Sequence, residues 1–140
     1  MAKLKFKLIT PERVLLDSEV DSVSCPTQMG EITVLPHHIP LVANLAAGEM
    51  KVVSDSEPRF MAVLGGVVEI RPGNEVIVLA DAAEMGHEID VKRAEEARER
   101  AHKIMAEKTL SDEEYAATAA ALERSLVRLR LARRRKTKAV

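Results

Sequence analysis

Residues 60–80 read FMAVLGGVVEIRPGNEVIVLA. Residues 60–64 and 67–70 are apolar runs of strand length on either side of Gly65-Gly66, a pair that signals a bulge or a sharp bend. Pro72-Gly73-Asn74 is a strong turn, and residues 75–80 form the last strand. Working outward, residues 50–53 make a strand and 54–58 its turn. Pro36, Pro40 and Gly48 bracket a stretch, 37–47, that reads as rich in loop. Gly30 punctuates before Ile32 and Val34, while residues 14–16 and then Val20, Val23 and Cys25 give two more short strands. At the start, Leu4, Phe6 and Leu8 alternate with Lys3, Lys5 and Lys7, the period of a half-buried strand. Short strands spaced by turns predict a sandwich or a closed barrel. No helical segment separates them, which argues against a parallel α/β sheet.

The composition changes abruptly after residue 84. Residues 90–107 contain no Gly or Pro, and Ala, Glu, Lys and Arg dominate. Asp90 is placed as an N-cap, and Ala94, Ala97, Ala101, Ile104 and Met105 share one stripe at helical spacing. After a short connection at 108–110, Ser111-Asp112-Glu113-Glu114 matches a capping box. The following helix sets Tyr115, Ala119, Leu122, Leu126 and Leu129 at alternating steps of four and three. Two helices joined so closely form an antiparallel hairpin. The predicted organisation is a β domain over 1–84 and a helical hairpin over 85–140. The hairpin's apolar faces are rich in alanine. Such a seam either holds weakly, so that the hairpin detaches or extends, or serves close helix approach.

The core of this 140-residue chain must be aliphatic, because aromatic residues make up only 2% of it. A net charge of -1 argues against a general nucleic-acid binder. The lone Cys25 forms no internal disulfide, fits a reducing compartment and reads as a buried core thiol. No apolar run approaches the roughly 20 residues of a transmembrane helix, and residues 1–7 lack the apolar segment of a signal peptide. Any membrane association therefore runs through a protein partner. No phosphate-binding loop or dinucleotide fingerprint is present. Adjacent His37 and His38, with His87 and His102, lack metal-ligand spacing. The pair instead reads as part of a shaped surface for a partner. The predicted catalytic residues and metal ligands are none.

Arg93 and Arg100 lie seven apart and share a face of the first helix; Arg124 and Arg128 lie four apart and share a face of the second. In an antiparallel pair the four arginines converge on one region, where their planar donors suit phosphate oxygens. The competing reading is a solvated charged face, with Glu96 and Arg100 as an i,i+4 pair. From Arg124 onward the basic residues Arg124, Arg128, Arg130, Arg133, Arg134, Arg135, Lys136 and Lys138 meet no acidic one. Part of this complements the helix dipole; the rest suits an acidic protein surface or nucleic acid.

Three stretches together carry a family resemblance: Gly30-Glu31-Ile32-Thr33-Val34-Leu35-Pro36-His37-His38-Ile39-Pro40-Leu41, Gly65-Gly66-Val67-Val68-Glu69-Ile70, and Val78-Leu79-Ala80-Asp81-Ala82-Ala83. Over residues 3 to 135 the chain resembles the epsilon subunit of bacterial F-type ATP synthases. Ile89-Asp90-Val91-Lys92-Arg93-Ala94 is similar to that family's ATP-binding signature, I/L-D-x-x-R-A. His37 stands where the family usually has glycine.

The resemblance implies a fold of β + α class, an N-terminal β-sandwich of about ten strands followed by a C-terminal antiparallel two-helix hairpin. It implies a non-catalytic place in the central rotor stalk, beside the gamma subunit and on the c-ring. That stalk couples the catalytic head to proton or other ion transport. The location implied is the cytoplasmic face of the bacterial plasma membrane, held there as a peripheral part of the complex. The folded hairpin permits ATP hydrolysis; extended into the alpha/beta head, it inhibits. There the basic end from Arg130 to Lys138 meets the acidic surface of the catalytic beta subunits. The resemblance implies no bound cofactor, with ATP as a regulatory ligand of the folded form. Glu84, Ile89, Asp90, Arg93, Ala94, Arg100, Arg124 and Arg128 match its ATP-binding residues, and Glu31 and His38 match its subunit interface. Outside the family, the competing functions are a stand-alone adaptor using the basic helix and a small hydrolase using His37 or His38.

Overall fold

A computed structural model describes residues 2–107 and 109–139, with side chains described for 2–106 and 109–134. Lys108, in the connection between the helices, lies outside the described residues. So do the side chains of Arg135, Lys136 and Lys138. The chain forms two compact units, Met1–Glu84 and Met85–Val140.

The first unit holds β1 (Leu4–Ile9), β2 (Val14–Val20), β3 (Ser22–Thr27), β4 (Gly30–Val34), β5 (Leu41–Ser54), β6 (Glu57–Arg71) and β7 (Glu75–Ala80). A short β8 (Ala83–Met85) pairs with β6. The strand order is β2-β1-β7-β6-β5-β3-β4. β1 and β7 run parallel, whereas the β1–β2, β3–β4, β3–β5, β5–β6 and β6–β7 pairs are antiparallel.

β5 and β6, of 14 and 15 residues, make the unit a sandwich. The later part of β6, from Gly66 to Arg71, pairs with β7. The later part of β5, from Lys51 to Val53, pairs with β3. The long hairpin thus passes from one layer to the other. The crossing falls at Gly65 and Gly66, with φ of +100° and +128°, and the β5–β6 register is the same on both sides of it. That continuity explains why eight strands are found among the described residues rather than about ten. The expected bend at Gly65-Gly66 turns the strands without breaking them.

The loop-rich reading of 37–47 is corrected by the same hairpin. β5 begins at Leu41, where Leu41 pairs with Ile70 and Ala43 with Val68. Residues 41–47 lack the alternation of an amphipathic strand, and their conformation is set by the ladder to β6. The turn read at 54–58 contracts to Asp55 and Ser56, both left-handed at φ 51° and 65°. β8 follows the strand expected to be last.

Phe6, Leu4, Leu8, Met50, Met61, Val20, Val23, Val34, Val52, Val63, Val68 and Val76 are fully buried. The core is therefore aliphatic, apart from Phe6. Pro26 in β3 has no N–H to donate, and the β3–β5 register shifts between Ser24 and Thr27, where it sits. Gly48 allows this approach, since a Cβ there would lie 2.8 Å from Pro26 Cβ.

Cys25 lies in this core with no exposure. Burial, and secondarily the charge of Glu31, push its thiol from an ordinary value near 9 up to about 12. The unfolded thiol ionises first, so the stability it contributes is complete below about pH 9 and is lost as pH rises toward 12. The slope is at most about 1.4 kcal/mol per pH unit. Denaturant titrations across that range are expected to show a steeper loss in the native chain than in a Cys25→Ala variant. Equal alkaline slopes for the two would refute it.

In the second unit a 3₁₀ turn, Gly86–Glu88, leads to α1 (Val91–Glu107) and α2 (Asp112–Ala139). Both expected N-terminal signals are formed. The Arg93 N–H donates to Asp90 Oδ1 at 3.1 Å. The Glu114 N–H donates to Ser111 Oγ at 3.1 Å, and the Ser111 N–H donates to Glu114 Oε1 at 3.4 Å.

The apolar stripes need correction. Ala94 and Ala101 are buried on α1, but Ile104 is exposed. On α2, Tyr115 and Leu126 are exposed, whereas Ser125, Val127, Leu129, Leu131 and Ala132 are buried. Ser125, Leu129 and Ala132 recur at helical spacing along one face. Val127 and Leu131 lie on another, where a Cβ on Gly86 would come 3.8 Å from Leu131 Cγ. α2 therefore buries two faces; the single-stripe reading found the first at Leu129 but missed Ser125 and Ala132 on it, and missed the second face altogether. Ser125 is tolerated inside because its hydroxyl donates to Ala121 O at 3.0 Å.

Candidate functional site

The candidate residues divide between the two units. Glu84 belongs to the first, half-buried on β8. It lines a cleft of about 290 Å³ with Thr10, Glu12, Arg13 and Asp81. Ile89, Asp90, Arg93, Ala94, Arg100, Arg124 and Arg128 belong to the second.

At the start of α1, each signature residue has a visible structural task. Ile89 is buried, Ala94 is buried at 4% exposure, and the Asp90 carboxylate caps the helix. Arg93 supplies the N–H that Asp90 receives, and its side chain is exposed. Cap and seam thus orient Arg93, because its neighbour Ala94 is held inward.

Helix geometry then fixes where the arginines fall. Successive residues turn by about 100°. One side of the α1–α2 seam carries a groove of about 190 Å³ lined by Val91, Glu95, Arg98, Leu129, Ala132 and Arg133. Glu95 follows buried Ala94, whereas Arg93 precedes it, so Arg93 turns to the opposite side. Arg100 precedes buried Ala101 in the same way. On α2, Arg133 follows buried Ala132, whereas Arg124 precedes buried Ser125 and Arg128 precedes buried Leu129. All four candidate arginines therefore occupy one flank of the hairpin, and the mixed-charge groove occupies the other. Arg93 and Arg100 are exposed; Arg124 and Arg128 are half-buried. Arg100 also borders a shallow surface on the outer side of α1, whose far edge carries Glu95 and Arg98.

Four guanidinium groups thus share one flank, and planar guanidinium donors are of the kind that carboxylate or phosphate oxygens accept from. Spacing alone left open which way each arginine faces; the buried seam puts the four on one flank. Arg98 has the same charge and nearly the same sequence position, but it faces the other way.

The interface candidates lie in the first unit. Glu31 is exposed on β4 and His38 is half-buried in the loop after it. The His38 N–H donates to Leu35 O at 3.2 Å, and its Nδ1 donates to Ile39 O at 2.6 Å. Sequence reading passed over the apolar side chains beside them. Met29, Leu35, Ile39, Leu41 and Val42 are all exposed, Met29 at 96% and Ile39 at 74%. Where such exposed side chains adjoin, they are the chemistry of an interaction surface. The available sequence signal was the cluster of Leu35, Ile39, Leu41 and Val42 around Pro36 and Pro40.

Among the described residues, no group of three His, Cys, Asp or Glu is placed to hold a metal ion. No helix of the described residues is long and apolar enough to cross a membrane.

A β-sandwich unit followed by a long helical hairpin is the two-part plan of one protein class. Residues 3–86 match the family profile described as ATP synthase, Delta/Epsilon chain, beta-sandwich domain. Residues 87–133 match that of the ATP synthase, Delta/Epsilon chain, long alpha-helix domain. The ATP synthase epsilon chain of Dehalococcoides mccartyi is 46% identical over 136 residues, 97% of this chain and 96% of that protein. The ATP synthase epsilon chain of Syntrophobacter fumaroxidans is 44% identical over 130 residues, 93% of this chain and 96% of that protein. A chain in the Euglena gracilis mitochondrial ATP synthase, OSCP/F1/c-ring, has the same fold, with a TM-score of 0.81 at 22% identity, covering 94% of this chain and 82% of that one. The chain belongs to the family of ATP synthase epsilon chains.

Proposed function

We propose that the chain is a non-catalytic central-stalk subunit of an F-type ATP synthase, linking the catalytic head to the ion-carrying c-ring. In this reading the β domain docks on the gamma subunit and the c-ring through the surface around Glu31 and His38. The helical hairpin is a regulatory element. Folded, it permits ATP hydrolysis and takes ATP on its arginine flank; extended, it reaches the alpha/beta head and restrains hydrolysis. The complex holds the subunit at the cytoplasmic face of the bacterial plasma membrane.

Family membership over both units supports the placement. The observation that carries the nucleotide reading is the single flank shared by Arg93, Arg100, Arg124 and Arg128. A ligand that prefers the folded hairpin draws the population toward it by mass action.

A stop codon after Glu88 tests the regulatory role while leaving β8 intact. The truncated subunit is expected to assemble with the synthase and to raise ATP hydrolysis at least about twofold, the effect of releasing a state with half the population. Equal hydrolysis rates with full-length and truncated subunits, both shown to be bound, would remove the inhibitory hairpin from the proposal.

A further inference from the structure

The apolar side chains beside Glu31 and His38 are displayed by a loop, residues 35–40, that has little packing of its own. Leu35 and Ile39 are exposed at 56% and 74%. An exposed loop presents a reproducible surface only if something fixes its backbone. Two hydrogen bonds lie within it, from the His38 N–H to Leu35 O and from His38 Nδ1 to Ile39 O. A third tie comes from a different element. The His37 N–H donates to Asn74 Oδ1 at 2.7 Å, across 37 residues of sequence.

His37 is where such a tie is most needed. Its φ of 71° lies in the left-handed region, which a residue with a Cβ adopts only when its surroundings hold it there. Asn74, in the turn between β6 and β7, is anchored for this work. It is itself left-handed at φ 62°, a conformation asparagine tolerates well. Its backbone oxygen accepts the Lys5 N–H at 2.7 Å, which fastens the turn to β1. One residue thus joins the start of β1, the β6–β7 turn and the loop.

We infer that Asn74 is a positioning residue: its side-chain carbonyl clamps His37 and so fixes how the 35–40 loop presents Leu35, His38 and Ile39 to a protein partner. The inference rests on the proposed docking of this surface within the synthase. Removing the clamp lets the loop leave its left-handed turn, and the partner must then order it again on binding. The sandwich core is untouched, because none of the buried side chains changes.

The test uses the full-length chain and a catalytic complex containing gamma but stripped of this subunit. Asn74→Gly keeps the left-handed backbone and the carbonyl that receives Lys5, and deletes only the acceptor for His37. It is expected to bind the complex about tenfold more weakly, a change of about 1.4 kcal/mol, and to speed amide exchange at His37 with an unchanged unfolding midpoint. Asn74→Asp restores an acceptor and is expected to bind within about twofold of the native chain. Ile39→Asp separates the two layers of the argument. If Ile39→Asp binds as the native chain does, the docking surface itself is wrong. If Ile39→Asp binds weakly while Asn74→Gly binds normally, docking stands and the positioning role of Asn74 is overturned. A fall in unfolding midpoint for Asn74→Gly that accounts for its binding loss, without faster exchange at His37, likewise overturns it.

Discussion

Gly66→Ala is expected to destabilise the β domain by about 3–5 kcal/mol, the combined scale of overpacking and a forbidden backbone conformation. A Cβ at this position would lie 2.1 Å from Leu79 O and 2.8 Å from Ala80 Cα. Both are backbone atoms of β7, the strand paired with Gly66, and neither moves without breaking the β6–β7 ladder. The φ of +128° lies outside what an L side chain adopts readily. Gly73 provides the control. Its φ of +84° carries backbone strain, but nothing lies within 4 Å of a built Cβ, so Gly73→Ala is expected to cost only about 1 kcal/mol. Denaturant unfolding of both variants measures the difference. Equal losses would show that close approach at Gly66 contributes nothing. Because the layers meet at this bend, a chain that fails here also loses the surface around Glu31 and His38 proposed to dock in the stalk.

The second large effect concerns nucleotide. ATP titrated into the full-length chain by calorimetry is expected to bind, and Arg93→Ala to weaken binding about 10- to 100-fold, the scale of one or two charge-assisted hydrogen bonds. Arg124→Ala is expected to do the same. Arg98→Ala is the informative comparison, because Arg98 lines the groove on the opposite flank of the seam with Glu95 and Arg133. It removes the same charge from the same helix and is expected to leave affinity within about twofold. If Arg98→Ala weakens binding as much as Arg93→Ala, general electrostatics explains the effect and the one-flank site is wrong. No heat at saturating ATP would remove the site entirely.

Some elements were open to direct reading. β1 shows its alternation in Leu4, Phe6 and Leu8, and all three are buried as that pattern requires. The Asp90 cap and the Ser111–Glu114 box are signals of local geometry, and all three bonds are made. The start of β5 was not legible, because Ala43, Asn44, Ala46 and Ala47 have no strong preference and take their conformation from β6. The apolar stripe of α2 misled for another reason. Spacing finds one line of large side chains, but of that line only Leu129 is buried, beside the small Ser125 and Ala132, while Val127 and Leu131 are buried on a second face. Leu126 and Tyr115, prominent in the sequence, end up exposed. Arg93 could be named from its motif, and Arg100, Arg124 and Arg128 from the family resemblance, but their common flank follows only from which neighbours are buried.

By itself, the sequence determined what depends on near neighbours in the chain. It set two units of opposite character, the turns at Gly73 and Asn74, the helix caps, an aliphatic core and the residue types available to hold phosphate. Tertiary structure decided what depends on partners distant in sequence. It made 41–54 one strand, left Gly66 no room for a methyl group and set the arginines apart from Arg98. It also brought Asn74 to His37, across 37 residues. The physical reason is range. Caps and turns are satisfied within a few residues of backbone, whereas pairing, burial and facing direction are settled only when a second element fills the space opposite.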